Sequence, residues 1–216
     1  MVDEKRALCY YTSERKVFGE HFRIKKPRYF NMKKWTTLML SRAGVIAALY
    51  VALTFLCFPV ASGAIQFRVS EMLTVLPLFY VEAIPALFVG CVVSNLISGC
   101  VFWDVFLGSI VTLIAALCTY ATGRFFKNGV VRVILGGFFP VVLNALGLPL
   151  IWWLSSGALE IGYWLNVAYL LLSQGVIIWV LGAALYFVVE KMLKKNISVM
   201  LPVSLKKERE KQNKPL

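Results

Sequence analysis

Val69-Ser70-Glu71-Met72-Leu73-Thr74-Val75-Leu76-Pro77-Leu78-Phe79-Tyr80-Val81 is the stretch on which the architecture of this 216-residue chain turns. It is apolar but short, and Pro77 interrupts it. Either it forms a helix of its own, or it joins the residues up to 99 in one long kinked span. The other apolar segments are easier to place, because crossing the hydrocarbon takes roughly 20 apolar residues. Leu38 to Phe58, Ile84 to Gly99, Val105 to Gly123, Val131 to Leu154 and Ile161 to Val189 satisfy or nearly satisfy that length. A separate helix at 69–81 makes six in all, and a merged one makes five.

Charge decides between the two. Between Arg42 and Glu190 the charged residues are Arg68, Glu71, Glu82, Asp104, Arg124, Lys127, Arg132 and Glu160. Hydrophobic residues make up 59% of the chain, and 19 of the 23 Lys and Arg fall within residues 1–42 and 190–216. Such a chain is an integral membrane protein, and its formal charge of +12 belongs to flanks held near anionic headgroups rather than to nucleic-acid binding. Six helices bring the N-terminus, the Arg124-Lys127-Arg132 loop and the C-terminal tail to one side, as the positive-inside rule requires. Five helices send a basic segment to the wrong face. Glu82-Ala83-Ile84-Pro85 then supplies a tight cytoplasmic turn, since proline suits a helix start.

The expected architecture is therefore an all-α membrane protein of six transmembrane helices with both termini cytoplasmic. A basic extension (1–34) precedes the six-helix membrane domain (35–192), and a basic tail (193–216) comes after it. Met32, just ahead of Lys33-Lys34-Trp35, reads as an alternative start that would make residues 1–31 dispensable. Lys33-Lys34 and Ala61-Ser62-Gly63 imitate the ends of a signal peptide, but the long apolar run and Pro59 argue against cleavage.

Ionisable residues in lipid are costly and generally face a bundle interior or a water-filled cavity. In the six-helix topology Gln66, Arg68 and Glu71 lie where the first external loop enters the second helix. Asn95 and Asp104 lie near the outer ends of the third and fourth helices, Asn144 at mid-depth or higher in the fifth, and Glu160, Tyr163 and Asn166 at the outer start of the sixth. They can converge on one outward-facing pocket. Blander roles compete: an Arg68–Glu71 pair at the headgroup boundary, interhelical glue for Asn144, and an aromatic belt for Trp152, Trp153, Tyr163 and Trp164. Gln174, deeper in the last helix, reads as structural.

Several chemistries lack their raw material. His21 is the only histidine and lies in the polar extension. The five cysteines form no CxxC pair and suit helix packing, so neither a metal site nor a cofactor is expected. Gly136-Gly137 has no Lys-Ser/Thr sequel, which removes a phosphate loop. No paired-Asp motif or nucleophile–His arrangement points to a membrane enzyme. In the first helix Ala43 and Ala47 are four apart, as are Gly44, Ala48 and Ala52, and small residues at that spacing let helices approach closely in lipid.

The run Ile65-Gln66-Phe67-Arg68-Val69-Ser70-Glu71, continued by Leu73-Thr74-Val75-Leu76-Pro77, resembles the signature of the queuosine-precursor transporter (QueT) family. So do Ala47-Ala48-Leu49-Tyr50-Val51-Ala52-Leu53-Thr54 and Glu82-Ala83-Ile84-Pro85. The likeness covers roughly residues 38–190. It implies the six-helix fold of the substrate-binding (S) components of energy-coupling factor (ECF) transporters, in the bacterial cell membrane. Such a subunit binds its substrate from outside and hydrolyses nothing. A transmembrane coupling protein and a cytoplasmic ATPase pair supply the energy, and docking on the former would use Ala43, Ala47, Ala48 and Ala52. The loop Pro59 to Phe67, with Ser62-Gly63 as hinge, would act as a lid.

The implied ligand, a 7-deazaguanine, presents parallel N–H donors that Glu71 can accept bidentately. Arg68, Gln66 or Asn144 can donate to the ring carbonyl, and Asp104 or Glu160 can offset a cationic 7-aminomethyl group. An S component for a different ring-shaped vitamin, a membrane enzyme and a scaffold protein are the alternatives.

Overall fold

The computed structural model describes residues 35–57, 67–100, 102–126, 128–157, 159 and 162–195, all within the unit Met32–Leu216. The extension 1–34, the loop residues 58–66 with Gln66 and the Ser62-Gly63 hinge, Lys127, Glu160 and the tail from 196 onward lie outside the described residues.

Six helices succeed one another, and no strand occurs among the described residues. They are α1 (Thr37–Leu56), a 3-10 helix (Val69–Leu78), α2 (Ala83–Ile97), α3 (Asp104–Phe125), α4 (Gly129–Ser156) and α5 (Tyr163–Lys194). The segment 69–81 thus forms a helix of its own, ended by a turn before Ala83. Four of the six, α1, α3, α4 and α5, are long and apolar enough to cross a membrane, while the 3-10 helix and α2 are shorter. Of the six transmembrane helices expected, four thus have spanning length, and the segment read as short is short.

The 3-10 winding partly makes up for the missing length. At about 2.0 Å rise per residue its 10 residues reach about 20 Å, against about 15 Å for an α-helix of the same length. Eight of the 10 are buried, so neighbouring helices rather than local propensity hold this winding. Gly182 of α5 shows how close they come: a Cβ there would meet Val75 Cγ2 at 2.8 Å and the Met72 carbonyl at 3.4 Å. The approach coincides with a π-helical stretch in α5 (Ile177–Gly182), and a second opens α3 (Asp104–Gly108).

Local rules account for the other helices. Thr36 caps α1 by accepting from Met39 N–H at 3.4 Å, and Asn128 caps α4 by accepting from Val130 N–H at 3.1 Å. Gly157, at φ 72°, ends α4 in the left-handed conformation that glycine adopts without strain. Within α4, Pro140 has no N–H to give to the carbonyl of Gly136. The Thr119 hydroxyl of α3 donates to that carbonyl instead, at 2.8 Å. An orphaned backbone group is thereby satisfied where lipid supplies no water.

A set of contacts gathers the cationic side chains at one end. Arg42 of α1 pairs with Glu82 in the turn before α2 at 3.3 Å. Arg132 donates to the Leu78 carbonyl at 2.6 Å and lies over the rings of Phe79 and Tyr186. Lys194 pairs with Glu190 at the end of α5, and a Cβ on Gly129 would lie beside both Tyr186 and Glu190. Arg124 ends α3, one short turn before α4. Arg68 is the only described cation at the opposite end.

The two small-residue rows of α1 face different ways. Ala43 and Ala47 pack against the core, whereas Gly44, Ala48 and Ala52 are exposed. Ala47 and Tyr50 face Gly90 of α2, where a Cβ would meet Tyr50 Cβ at 2.9 Å and the Ala47 carbonyl at 3.3 Å.

Candidate functional site

Glu71 enters the bundle one turn into the 3-10 helix and is only 2% exposed. With three residues per turn, Arg68, Glu71, Thr74 and Pro77 line one edge of that helix, and the last three are buried. Two neighbouring helices hold the Glu71 carboxylate. Tyr50 of α1 donates its hydroxyl to Oε1 at 2.7 Å, and Asn144 of α4 donates its amide to Oε2 at 3.2 Å. Each oxygen thus receives one bond and keeps a second lone pair. Thr54, one turn beyond Tyr50, donates to Ser70 Oγ at 2.9 Å and ties α1 to the start of the 3-10 helix.

A second polar group lies among α2, α3 and α4. Asn95 donates to the Asp104 carbonyl at 3.3 Å and to Cys91 Sγ at 3.6 Å, and Thr112 donates to the same sulfur at 3.5 Å. The Asp104 carboxylate receives the Trp152 indole N–H at 3.0 and 2.9 Å to its two oxygens. Arg68 stands at the start of the 3-10 helix. It is half-buried, and its guanidinium lies within electrostatic reach of Tyr50, Cys91, Glu71 and Asp104. Among the described residues no ion pair within 4 Å links it to Glu71, so the simple i, i+3 pair is not formed.

The structure therefore brings Glu71 and Asn144 into contact and sets Asp104 in a second group with Asn95 and Trp152. Tyr163 and Asn166 engage the backbone of their own end of the bundle: Tyr163 donates to the Leu146 carbonyl at 3.1 Å and Asn166 to that of Gly162 at 3.4 Å. Gln66 and Glu160 lie outside the described residues. The sequence reading missed Tyr50, Cys91 and Thr112, and placed Trp152 in an aromatic belt where it serves as the hydrogen-bond donor to Asp104. The tyrosine hydroxyl at mid-length of α1 was the available signal for the first of these. Gln174 is fully buried, with neither amide atom partnered among the described residues.

A carboxylate held by two neutral donors, with a lone pair left on each oxygen, can accept further hydrogen bonds from a polar group. Long apolar helices around such an enclosed polar group are those of a multi-pass helical membrane protein. The comparisons with known proteins specify the class. The chain belongs to the QueT transporter family, whose model matches residues 40–191. It is thus one of a family of transporters rather than of enzymes. The chain is also similar to the queuosine precursor transporter QueT of Lactococcus lactis subsp. cremoris (strain MG1363), at 41% identity over 86 residues. That alignment covers 38% of this chain and 50% of the relative, so the chain spans about half the length of the curated relative it matches. No solved structure matches significantly.

Proposed function

We propose that this protein is the substrate-binding S component of an ECF importer in the bacterial cell membrane, capturing a queuosine precursor of the 7-deazaguanine class from outside. The observation that carries the reading is Glu71, buried at the meeting of three helices with Tyr50 and Asn144 on its two oxygens. The free lone pairs of that carboxylate suit the parallel ring N–H and exocyclic N–H of a deazaguanine. Arg68 lies close enough in charge to favour the ring carbonyl, and Asp104 to offset a 7-aminomethyl cation. Gln66, Glu160, Tyr163 and Asn166 are assigned to the mouth of the site. The L. lactis relative is named for queuosine precursors, and the proposal extends that substrate class to this chain.

The end that gathers Arg42, Arg124, Arg132 and Lys194 is assigned to the cytoplasm by the positive-inside rule. Both termini then lie inside, and the Arg68–Asp104 end opens outward. A transmembrane coupling protein, itself carrying the cytoplasmic ATPase pair, would dock on α1. The exposed row Gly44, Ala48 and Ala52 is the surface offered to that coupling protein, with Ala43 and Ala47 supporting it from the core side.

Calorimetric titration of the detergent-solubilised chain with 7-aminomethyl-7-deazaguanine, with guanine as control, tests the reading. Binding of the deazaguanine alone, lost in Glu71→Ala, is the expected result. Folded protein that binds neither base overturns the substrate assignment, and undiminished binding by Glu71→Ala overturns the role of Glu71.

A further inference from the structure

Gln174 is a fully buried side chain whose Nε2 and Oε1 both lack a hydrogen-bond partner among the described residues. An amide in that state forfeits its hydration without recompense, and membrane interiors offer no stray water to rescue it. A glutamine kept only for packing would be replaced at no loss by methionine or leucine.

Helix register fixes its depth. On α5 the buried stripe runs Val167, Leu170, Gln174, Ile177 and Ile178. Leu170 packs with Ala145, Leu148 and Ile151 of α4, and Ile178 packs with Val141 of α4 and Val75 of the 3-10 helix. Between these two apolar clusters α4 places Asn144, and α5 places Gln174. The helices run antiparallel, as the contact between Trp179 and the Ile134 carbonyl near the basic end also shows. Gln174 thus shares a layer with Asn144, which holds Glu71. Apolar packing between α4 and α5 flanks these two amides on either side.

We propose that Gln174 is a specificity-determining residue of the binding site, reading the edge of the base that Glu71 leaves free. The inference rests on the deazaguanine reading above. With the ring N–H and the exocyclic amine on Glu71, a 7-deazaguanine still presents an acceptor (N3) beside a donor (N9–H). A carboxamide is the complement of that pair: Nε2–H donates to N3, and Oε1 accepts from N9–H. Glutamate offers no donor there when ionised, and lysine no acceptor. This defines the ligand class: a free base, unsubstituted at N9, with nucleosides excluded because they lack the donor and carry a sugar in its place.

The full-length protein in detergent tests this with two ligands and one variant. The wild type should bind 7-aminomethyl-7-deazaguanine at least about 100-fold more tightly than its N9-methyl derivative, since a site built on hydrogen bonds rejects an analogue that leaves them unmade. Gln174→Met should bind the free base about 10- to 100-fold more weakly. It should also narrow the difference between the two ligands and melt at a higher temperature than the wild type when no ligand is present. That last shift separates a ligand-reading amide from a structural one, whose loss would lower the melting temperature. Equal affinity of the wild type for both ligands overturns the proposal without reference to any variant. So does unchanged binding by Gln174→Met, and in both cases the deazaguanine reading stands. Folded wild type that binds no deazaguanine overturns that reading, and this assignment with it.

Discussion

Glu71 is held by two donors that differ in kind. Asn144 reaches Oε2 at 3.2 Å through an amide of α4, whereas Tyr50 reaches Oε1 at 2.7 Å through a phenol hydroxyl of α1. Removing the tyrosine hydroxyl leaves the ring packing and deletes a single donor to a buried carboxylate. A hydrogen bond to a charged group contributes about 1.5–3 kcal/mol. Tyr50→Phe is therefore expected to weaken substrate binding by about tenfold or more while the protein stays folded, which titration beside a thermal melt will read. These residues also mark how far the sequence was legible. Arg68, Glu71, Asn144 and Asp104 stood out because ionisable and amide groups are rare in lipid. Tyr50, Cys91, Thr112 and Trp152 did not, since residues with an apolar body and one polar atom pack a membrane helix without announcing a role.

Helix pairs add constraints that no single side chain carries. The α1–α2 approach depends on Gly90, where even a methyl group would strike Tyr50 Cβ at 2.9 Å. Gly90→Val is expected to push α1 outward and carry the Tyr50 hydroxyl off Glu71, lowering both the melting temperature and the affinity. Between α3 and α4, Thr119→Val strips the Gly136 carbonyl of its donor, at a cost of about 0.6–1.7 kcal/mol for an interhelical bond in a membrane protein. Most of that loss should vanish in a Pro140→Ala background, where the backbone N–H returns, as a double-mutant melting cycle will measure. The helix count was legible from charge and from Pro77. The 3-10 winding was not, because tertiary contacts such as the Gly182 approach impose it. Nor did spacing alone say which of the two small-residue rows of α1 faces inward, since both repeat every four residues.

Across the whole bundle, charge is sorted end to end. Arg42, Arg132 and Lys194 take part in ion pairs, carbonyl contacts or ring contacts at one end, and Arg68 stands at the other among buried acceptors. That asymmetry predicts orientation. Alkaline phosphatase fused after Asn128 should be inactive, and the same enzyme fused after Gly99 should be active; the reverse pattern would invert the bundle.

The 3-10 helix also limits how the chain can change in length. Each residue inserted between Glu71 and Pro77 turns the rest of the segment by about 120°, so a single insertion swings one of the two off the edge they share. Only a three-residue insertion restores the register, and it adds about 6 Å to a segment already hemmed in by Gly182 and Arg132. Relatives that keep this site should therefore have no gaps between Arg68 and Leu78, while the connections around it are free to vary in length.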